Sequence, residues 1–154
     1  YPVDYTNSPE VISKIDNMVA INNCVCVDLY GQISSESAGT RHVSGTGGQL
    51  DFLTGVGTAK GGKGFICFSS TFTDKKTGEL KSRVVPSLLA GEIVTSPRTQ
   101  AHYLVSEWGM VNVAGRSTWE RAELIISLAH PMFREALIKE AEKMNIWRYT
   151  NKLV

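Results

Sequence analysis

Residues 44–52 read Ser-Gly-Thr-Gly-Gly-Gln-Leu-Asp-Phe and place three glycines within four positions, between a strand-like stretch and an apolar helical one. Glycine lets the backbone approach a ligand closely because no side chain stands in the way. Amides ahead of a helix also favour negative charge, either a phosphate or the oxyanion of an acyl transfer. The segment matches neither G-x-G-x-x-G nor G-x-x-x-x-G-K-[ST], and a purely structural turn stays open.

Helical patterns lie on both sides of this glycine turn. The first is opened by Ser8 and Pro9, and a later one by the capping box that runs from Ser117 to Glu120. His130 and Pro131 end that helix and start another. The sequence therefore predicts helices at residues 8–16, 49–58, 117–129 and 131–144.

Short apolar runs rich in Val, Ile and Cys separate these helices. They predict strands at residues 18–30, 42–44, 64–70, 82–89, 93–95 and 102–105. The run 64–70 is apolar enough for a strand buried on both faces, as in parallel sheets. Residues 34–39 predict a loop and residues 74–78 a hairpin-like turn. The whole pattern predicts an α/β fold, layered, with a mostly parallel or mixed sheet flanked by helices.

Size and charge limit the function classes. A chain of 154 residues suits one domain or part of a larger α/β protein. Sixteen basic and fifteen acidic residues nearly cancel, so we expect no nucleic-acid partner and no membrane partner. No stretch approaches the roughly 20 apolar residues of a membrane span. The sequence has no secretory signal and begins at Tyr1 without Met, so we expect a fragment or a processed product.

The chain contains three cysteines, Cys24, Cys26 and Cys67, all in apolar strand-like runs. An odd number in such runs predicts reduced thiols in a cytoplasmic protein. Cys24 and Cys26 would share one face of a single strand. No histidine or further cysteine lies at ligand spacing, so no metal is expected.

Nine short motifs follow one another along nearly the whole chain. They are DLYGQ at 28–32, GTGGQLDF at 45–52, KGGK at 60–63, SRVVP at 82–86, VTSPR at 94–98, HY at 102–103, SEWG at 106–109, RA at 121–122 and AHPMFR at 129–134. Each is weak alone, but their succession is specific. It resembles the C-terminal domain portion of the acetyl-CoA hydrolase/transferase family, whose best-known members are the 4-hydroxybutyrate, butyrate and acetate coenzyme A-transferases.

The resemblance implies a mechanism. A glutamate attacks the thioester of a short-chain acyl-CoA, a glutamyl-CoA thioester forms, and a small carboxylate such as acetate accepts the coenzyme A. That glutamate lies upstream of the matching segment. None of Glu10, Glu36, Glu79, Glu92 or Glu107 corresponds to it. We read Glu92 as a surface residue and Glu107 as either structural or pocket-lining. Residues 1–154 would then form a domain portion that is inactive alone.

The resemblance also implies the supporting residues. The amide of Asn7 would donate to the oxyanion or orient the glutamate, unless it only caps a turn. The backbone N–H of Gly48 would lie at the thioester. Ser44 and Lys60 match positions that contact coenzyme A, and an ammonium suits the cofactor's phosphates, unless Lys60 is only a solvated loop residue. Gly47 and Gln49 are further candidates for the same coenzyme A site.

The other polar and aromatic candidates are given structural roles. His102 and His130 are expected to be structural. The aromatic residues Trp108, Trp119 and Phe133 are expected to pack the core. Trp108 stands where the family usually has tyrosine, which leaves the identity of the acyl group open.

Two alternative functions stay open. An acyl-CoA hydrolase would let water resolve the same intermediate, and a non-catalytic module would only bind coenzyme A. For the main reading, the expected ligands are acyl-CoA and a small carboxylate. The resemblance further implies a homo-oligomer.

Overall fold

The computed structural model describes residues 1–146, which contain five α-helices and eleven strands. The helices are α1 (Val3–Thr6), α2 (Pro9–Ile12), α3 (Gln49–Thr58), α4 (Thr118–Ser127) and α5 (Pro131–Lys143), with a 3₁₀ turn at Arg98–Gln100. The strands are β1 (Val19–Asn23), β2 (Cys26–Asp28), β3 (Ile33–Ser34), β4 (Ser37–Ala38), β5 (Arg41–His42), β6 (Lys63–Cys67), β7 (Thr71–Thr73), β8 (Leu80–Ser82), β9 (Val84–Val85), β10 (Tyr103–Ser106) and β11 (Gly109–Asn112).

The main sheet has four strands in the order β1-β6-β10-β11. The first three run parallel, and β11 pairs antiparallel with β10. Helix α3 packs against β1 and β6, and α4 packs against β11 and α5. The fold is therefore α/β with a mixed sheet flanked by helices, which confirms the predicted class.

Side chains alternate between the two faces of this sheet. Ala20, Ile66 and Leu104 lie in the core beneath the helices. On the other face Ile21 is 68% exposed, and Phe65 is only half-buried. The prediction that residues 64–70 form a strand buried on both faces is therefore wrong for the described residues, because helices cover one side only.

Three smaller sheets complete the chain. Strand β2 lies between β3 and β9, and β4 pairs with β5. Strands β7 and β8 form a hairpin around residues 74–79, which confirms the predicted turn. Among residues 1–146, no helix combines the length and apolar character that crossing a bilayer requires.

The long strand predicted at residues 18–30 is two strands in two different sheets. The N–H of Cys24 donates to the carbonyl of Cys67 in the main sheet, whereas the N–H of Val25 donates to Ser34 in the smaller one. The chain thus changes partners between β1 and β2. Cys24 and Cys26 consequently lie in different surroundings rather than on one face of one strand.

Four other boundaries differ from the predictions. Helix α2 ends at Ile12, four residues before the predicted end. The expected loop 34–39 contains the end of β3 and all of β4, and the expected strand 82–89 keeps only the end of β8 and the two residues of β9 before Pro86. Residues 93–95 form no strand. The nearest β pairing is a single isolated bridge between Ile33 and Ser96.

The predicted helix starts at Ser117 and Pro131 are confirmed. The hydroxyl of Ser117 accepts the N–H of Glu120, and the Glu120 carboxylate accepts the N–H of Ser117, at 3.4 and 2.8 Å. His130 caps α5 because its Nδ1 accepts the N–H of Met132 at 3.3 Å. His130 therefore has the structural role expected of it.

Candidate functional site

Gly48 and Asn7, which are far apart in sequence, lie against each other. Gly48 is the N-cap residue of α3, and Asn7 is the C-cap residue of α1. A Cβ added to Gly48 would collide with the Nδ2 of Asn7 and lie 3.5 Å from the ring of Phe52. A side chain at position 48 would therefore force the Asn7 amide to move.

Hydrogen-bond donors at this contact are unused. Within residues 1–146, the backbone N–H groups of Gly47 and Gly48 and the Nδ2 of Asn7 have no hydrogen-bond acceptor. They lie at the N-terminus of a ten-residue helix, where the helix dipole favours negative charge. The arrangement can therefore stabilise an anion, including the oxygen of a tetrahedral acyl intermediate.

The glycine loop is irregular and exposed, but hydrogen bonds to Glu36 fix its position. The carbonyl of Glu36 accepts the N–H groups of Val43 and Ser44, at 2.7 and 3.2 Å. Its carboxylate accepts the hydroxyl of Thr46 at 3.1 Å, although Glu36 is only 7% exposed. Glu36 thus positions the loop, a role that nothing in the polar segment 34–39 indicated.

The side chain of Gln49 points into the protein rather than toward solvent. Its Oε1 accepts the Ser35 hydroxyl and its Nε2 donates to the Ser96 hydroxyl, both at 2.9 Å. Ser96 is fully buried. Gln49 therefore ties the start of α3 to the β3 region, and both groups of its side-chain amide are already engaged.

Lys60 lies at the opposite end of α3 from Gly48. Ten helical residues span about 15 Å. The Lys60 side chain is 86% exposed and pairs with Asp16 at 3.6 Å. The structure thus brings Ser44, Gly47, Gly48 and Asn7 to one end of α3 but does not place Lys60 beside them.

Glu107 follows β10 and is engaged by Ser70. The Ser70 N–H and hydroxyl donate to its carboxylate at 2.9 and 2.5 Å. Partial burial raises the pKa of Glu107, but these hydrogen bonds outweigh burial and hold the pKa below its usual value. Glu107 is consequently an ionised acceptor at neutral pH.

Trp108, next to Glu107, does not pack in the core as expected. It is 44% exposed, and its Nε1 donates to the Ser70 hydroxyl at 3.1 Å. Its ring meets His130 edge-on, with centroids 5.3 Å apart. The indole has a polar anchor at one end, which explains why it lies at the surface.

Glu92 is not the surface residue that the sequence predicted. Its half-buried carboxylate accepts the N–H of Leu89 at 2.9 Å, the N–H of Gly39 at 3.4 Å and the thiol of Cys26 at 3.2 Å. Burial and this carboxylate raise the pKa of Cys26. Glu92 therefore joins β2 to the turn after β4, and all three cysteines are free thiols.

A cavity of about 560 Å³ opens at the carboxyl ends of β1, β6 and β10. Its wall includes Cys24, Cys67, Val105 and Arg83. These residues come from four separate stretches of sequence, and no motif joined them before the fold was known. A second depression, of about 420 Å³, borders Asn7 and includes Asp4 and Asp51, whose charges disfavour phosphate.

Comparison with known proteins places the chain beside coenzyme A-transferases. Residues 1–141 match the model described as the acetyl-CoA hydrolase/transferase C-terminal domain. A probable butyrate:acetyl-CoA coenzyme A-transferase of Syntrophomonas wolfei is 57% identical over 153 residues, 99% of this chain and 34% of that protein. The butyryl-CoA:acetate CoA-transferase of Anaerostipes caccae is also 57% identical, over 98% of this chain and 34% of that protein.

Solved structures and more distant relatives extend the comparison. The crystal structure of RipA from Yersinia pestis superimposes with a TM-score of 0.84 at 44% identity, covering 94% of this chain and 32% of that one. An acetyl-CoA hydrolase of Kluyveromyces lactis is 30% identical over 86% of this chain and 24% of that protein. The chain thus spans about a third of the length of the transferases it matches.

Proposed function

The chain belongs to the acetyl-CoA hydrolase/transferase family, whose C-terminal domain it matches, and we propose that it forms part of a coenzyme A-transferase. The enzyme would move coenzyme A between a short-chain acyl-CoA and a small carboxylate such as acetate. The reaction would pass through a glutamyl-CoA thioester, with the glutamate supplied by polypeptide upstream of Tyr1. Residues 1–154 would be the C-terminal domain portion of that enzyme.

The contact between Gly48 and Asn7 carries this proposal. Each acyl step passes through a tetrahedral oxyanion, which needs preorganised donors in a fixed position. The N–H of Gly48 and the Nδ2 of Asn7 are adjacent donors without an acceptor among residues 1–146. In the proposed mechanism Gly48 donates to the thioester oxygen, and Asn7 either donates to the same oxygen or orients the glutamate.

Coenzyme A would approach along the glycine loop. Ser44 and Gly47 are exposed on that loop, and we propose that they contact the pantetheine end. Gln49 would act by fixing the start of α3, because its own amide is engaged. Lys60 would meet the phosphate end, since coenzyme A is an elongated molecule and Lys60 lies at the far end of the helix.

Transfer is favoured over hydrolysis because the chain is more similar in sequence to relatives named as transferases than to one named as a hydrolase. The relatives named as butyrate or butyryl-CoA transferases are 57% identical, whereas the relative named as a hydrolase is 30% identical. A module that only binds coenzyme A would use the same loop without an upstream glutamate. As in the family resemblance, the enzyme is expected to assemble as a homo-oligomer.

Acetate dependence tests this proposal. The polypeptide that carries this chain and its upstream region should convert butyryl-CoA to acetyl-CoA only when acetate is added, with parallel lines in a two-substrate kinetic analysis. Free coenzyme A released at the same rate without acetate would instead establish a hydrolase. Binding of coenzyme A without either reaction would leave only the binding module.

A further inference from the structure

The cavity at the carboxyl ends of β1, β6 and β10 has the chemistry of a binding site. Ligands of open α/β sheets bind outside the carboxyl ends of parallel strands. Its wall combines apolar and thiol side chains with a few polar ones, namely Cys24, Val25, Cys67, Phe68 and Val105 with Asn23, Ser69 and Ser106. One charged residue, Arg83, completes the lining.

Arg83 has no carboxylate counter-ion among residues 1–146, where none of the ion pairs involves it. Its Nη1 donates to the carbonyl of Val25 at 2.9 Å, and the guanidinium lies 5.0 Å from the centre of the Phe72 ring. These contacts hold the cation in place without neutralising it.

The neighbouring thiol does not supply the missing negative charge. Burial raises the pKa of Cys24 to about 12, even though Arg83 acts in the opposite direction. Cys24 is therefore a neutral thiol at pH 7, and the lining residues carry a net positive charge. A partly desolvated guanidinium in this state favours a carboxylate, which it can bind through two parallel hydrogen bonds.

The cavity and the glycine loop lie at the same edge of the molecule. The Ser35 hydroxyl is 3.2 Å from the carbonyl of Asn23, in the cavity wall, and 2.9 Å from the Oε1 of Gln49. Gln49 directly follows Gly48. Ser35 and the side chain of Gln49 thus connect the cavity wall to the start of α3.

We propose that this cavity binds a short-chain monocarboxylate, with Arg83 holding the carboxylate and Cys67 and Val105 contacting the alkyl chain. The role of this acid as the acceptor substrate or the released product rests on the proposed transferase function. Its binding does not require any reaction. A dicarboxylate would bind more weakly, because its second charge would meet the apolar wall.

Titration of butyrate into the ¹⁵N-labelled chain at constant ionic strength tests the site. We expect saturable amide shifts at Asn23, Cys67 and Ser106, at the carboxyl ends of the three parallel strands. The dissociation constant should rise at least ten-fold in Arg83→Gln and less in Arg83→Lys. Arg41→Gln, on the exposed strand β5, is the matched control and should bind like the parent chain.

A second variant is needed because Arg83 also donates a hydrogen bond to Val25, so that its replacement could disturb the fold. Val105→Phe keeps the cation but fills the cavity, so it should weaken butyrate binding more than acetate binding. Shifts that saturate elsewhere, unchanged binding in a folded Arg83→Gln chain, or succinate binding as tightly as butyrate would each overturn the site. Butyrate binding here without acetate-dependent transfer would refute the proposed function and leave the site standing.

Discussion

At the scale of single residues, the candidate site depends most on the close contact between Gly48 and Asn7. The space that a Cβ would occupy is taken by the amide of Asn7. This contact joins the end of α1 to the start of α3, and it leaves the donors of both residues unused within residues 1–146. The steric constraint and the proposed chemical role therefore coincide at one position.

Gly48→Ala keeps the backbone N–H but should lower kcat about 100-fold through loss of the Asn7 amide, because that is the usual effect of losing one oxyanion donor. The new methyl group would displace Asn7 and crowd the thioester. Gly45→Ala is the matched control in the same loop, because a Cβ there meets nothing within 4 Å. Steady-state kinetics of the polypeptide that carries this chain would measure both variants. Equal kinetics for Gly48→Ala and the parent would remove Gly48 from the site.

The residues of the site were predictable to different degrees. Asn7 and Gly48 follow from the family resemblance. Their contact could not be predicted, because it depends on how α1 and α3 pack in the fold. Arg83 lies in the SRVVP motif, but nothing there marked it as a ligand-binding residue, because an arginine beside Val84 and Val85 looks like an ordinary strand residue. Its proposed role depends on the lack of a carboxylate partner among residues 1–146, which only tertiary structure can show.

At the scale of elements, the turn between β2 and β3 depends on Gly31 and on α4. Gly31 has φ of +88°, and a Cβ there would lie 2.9 Å from Nη1 of Arg121. Arg121 is 5% exposed and donates to the carbonyl of Arg98 at 2.7 Å. The buried carboxylate of Asp28 fixes the same turn through the N–H groups of Tyr30 and Gln32.

Gly31→Ala should lower the free energy of unfolding of the chain by about 3 kcal/mol, from left-handed strain and a clash with a buried guanidinium. Gly115→Ala should cost only about 1 kcal/mol, because Gly115 has φ of +69° and open space around it. Urea denaturation followed by circular dichroism compares the two. Equal losses would show that Arg121 moves aside without cost.

Local signals predicted some elements and missed others. The helices at Ser117 and Pro131 follow from capping chemistry within a few residues, so the sequence alone located their starts. The stretch 18–30 is rich in Val, Ile and Cys and looks like one strand, yet it divides where the N–H of Cys24 donates to the carbonyl of Cys67 and the N–H of Val25 donates to that of Ser34. The choice of strand partner is a long-range property, and no local pattern encodes it.

At the scale of the whole molecule, one edge of the main sheet gathers every feature proposed to be functional except Lys60. Helix α3 begins there, the cavity opens there, and Glu107 follows β10 there. The chain spans about a third of the length of its transferase relatives. We therefore expect the upstream polypeptide to bring its glutamate to this edge.

A crystal structure of the polypeptide that carries this chain, with butyryl-CoA bound, tests the central claim most directly. The thioester oxygen should lie about 2.7–3.1 Å from the N–H of Gly48, within reach of the Nδ2 of Asn7. A ligand whose sulfur lies away from the start of α3, or a Gly48 N–H bonded to the protein itself, would contradict the account.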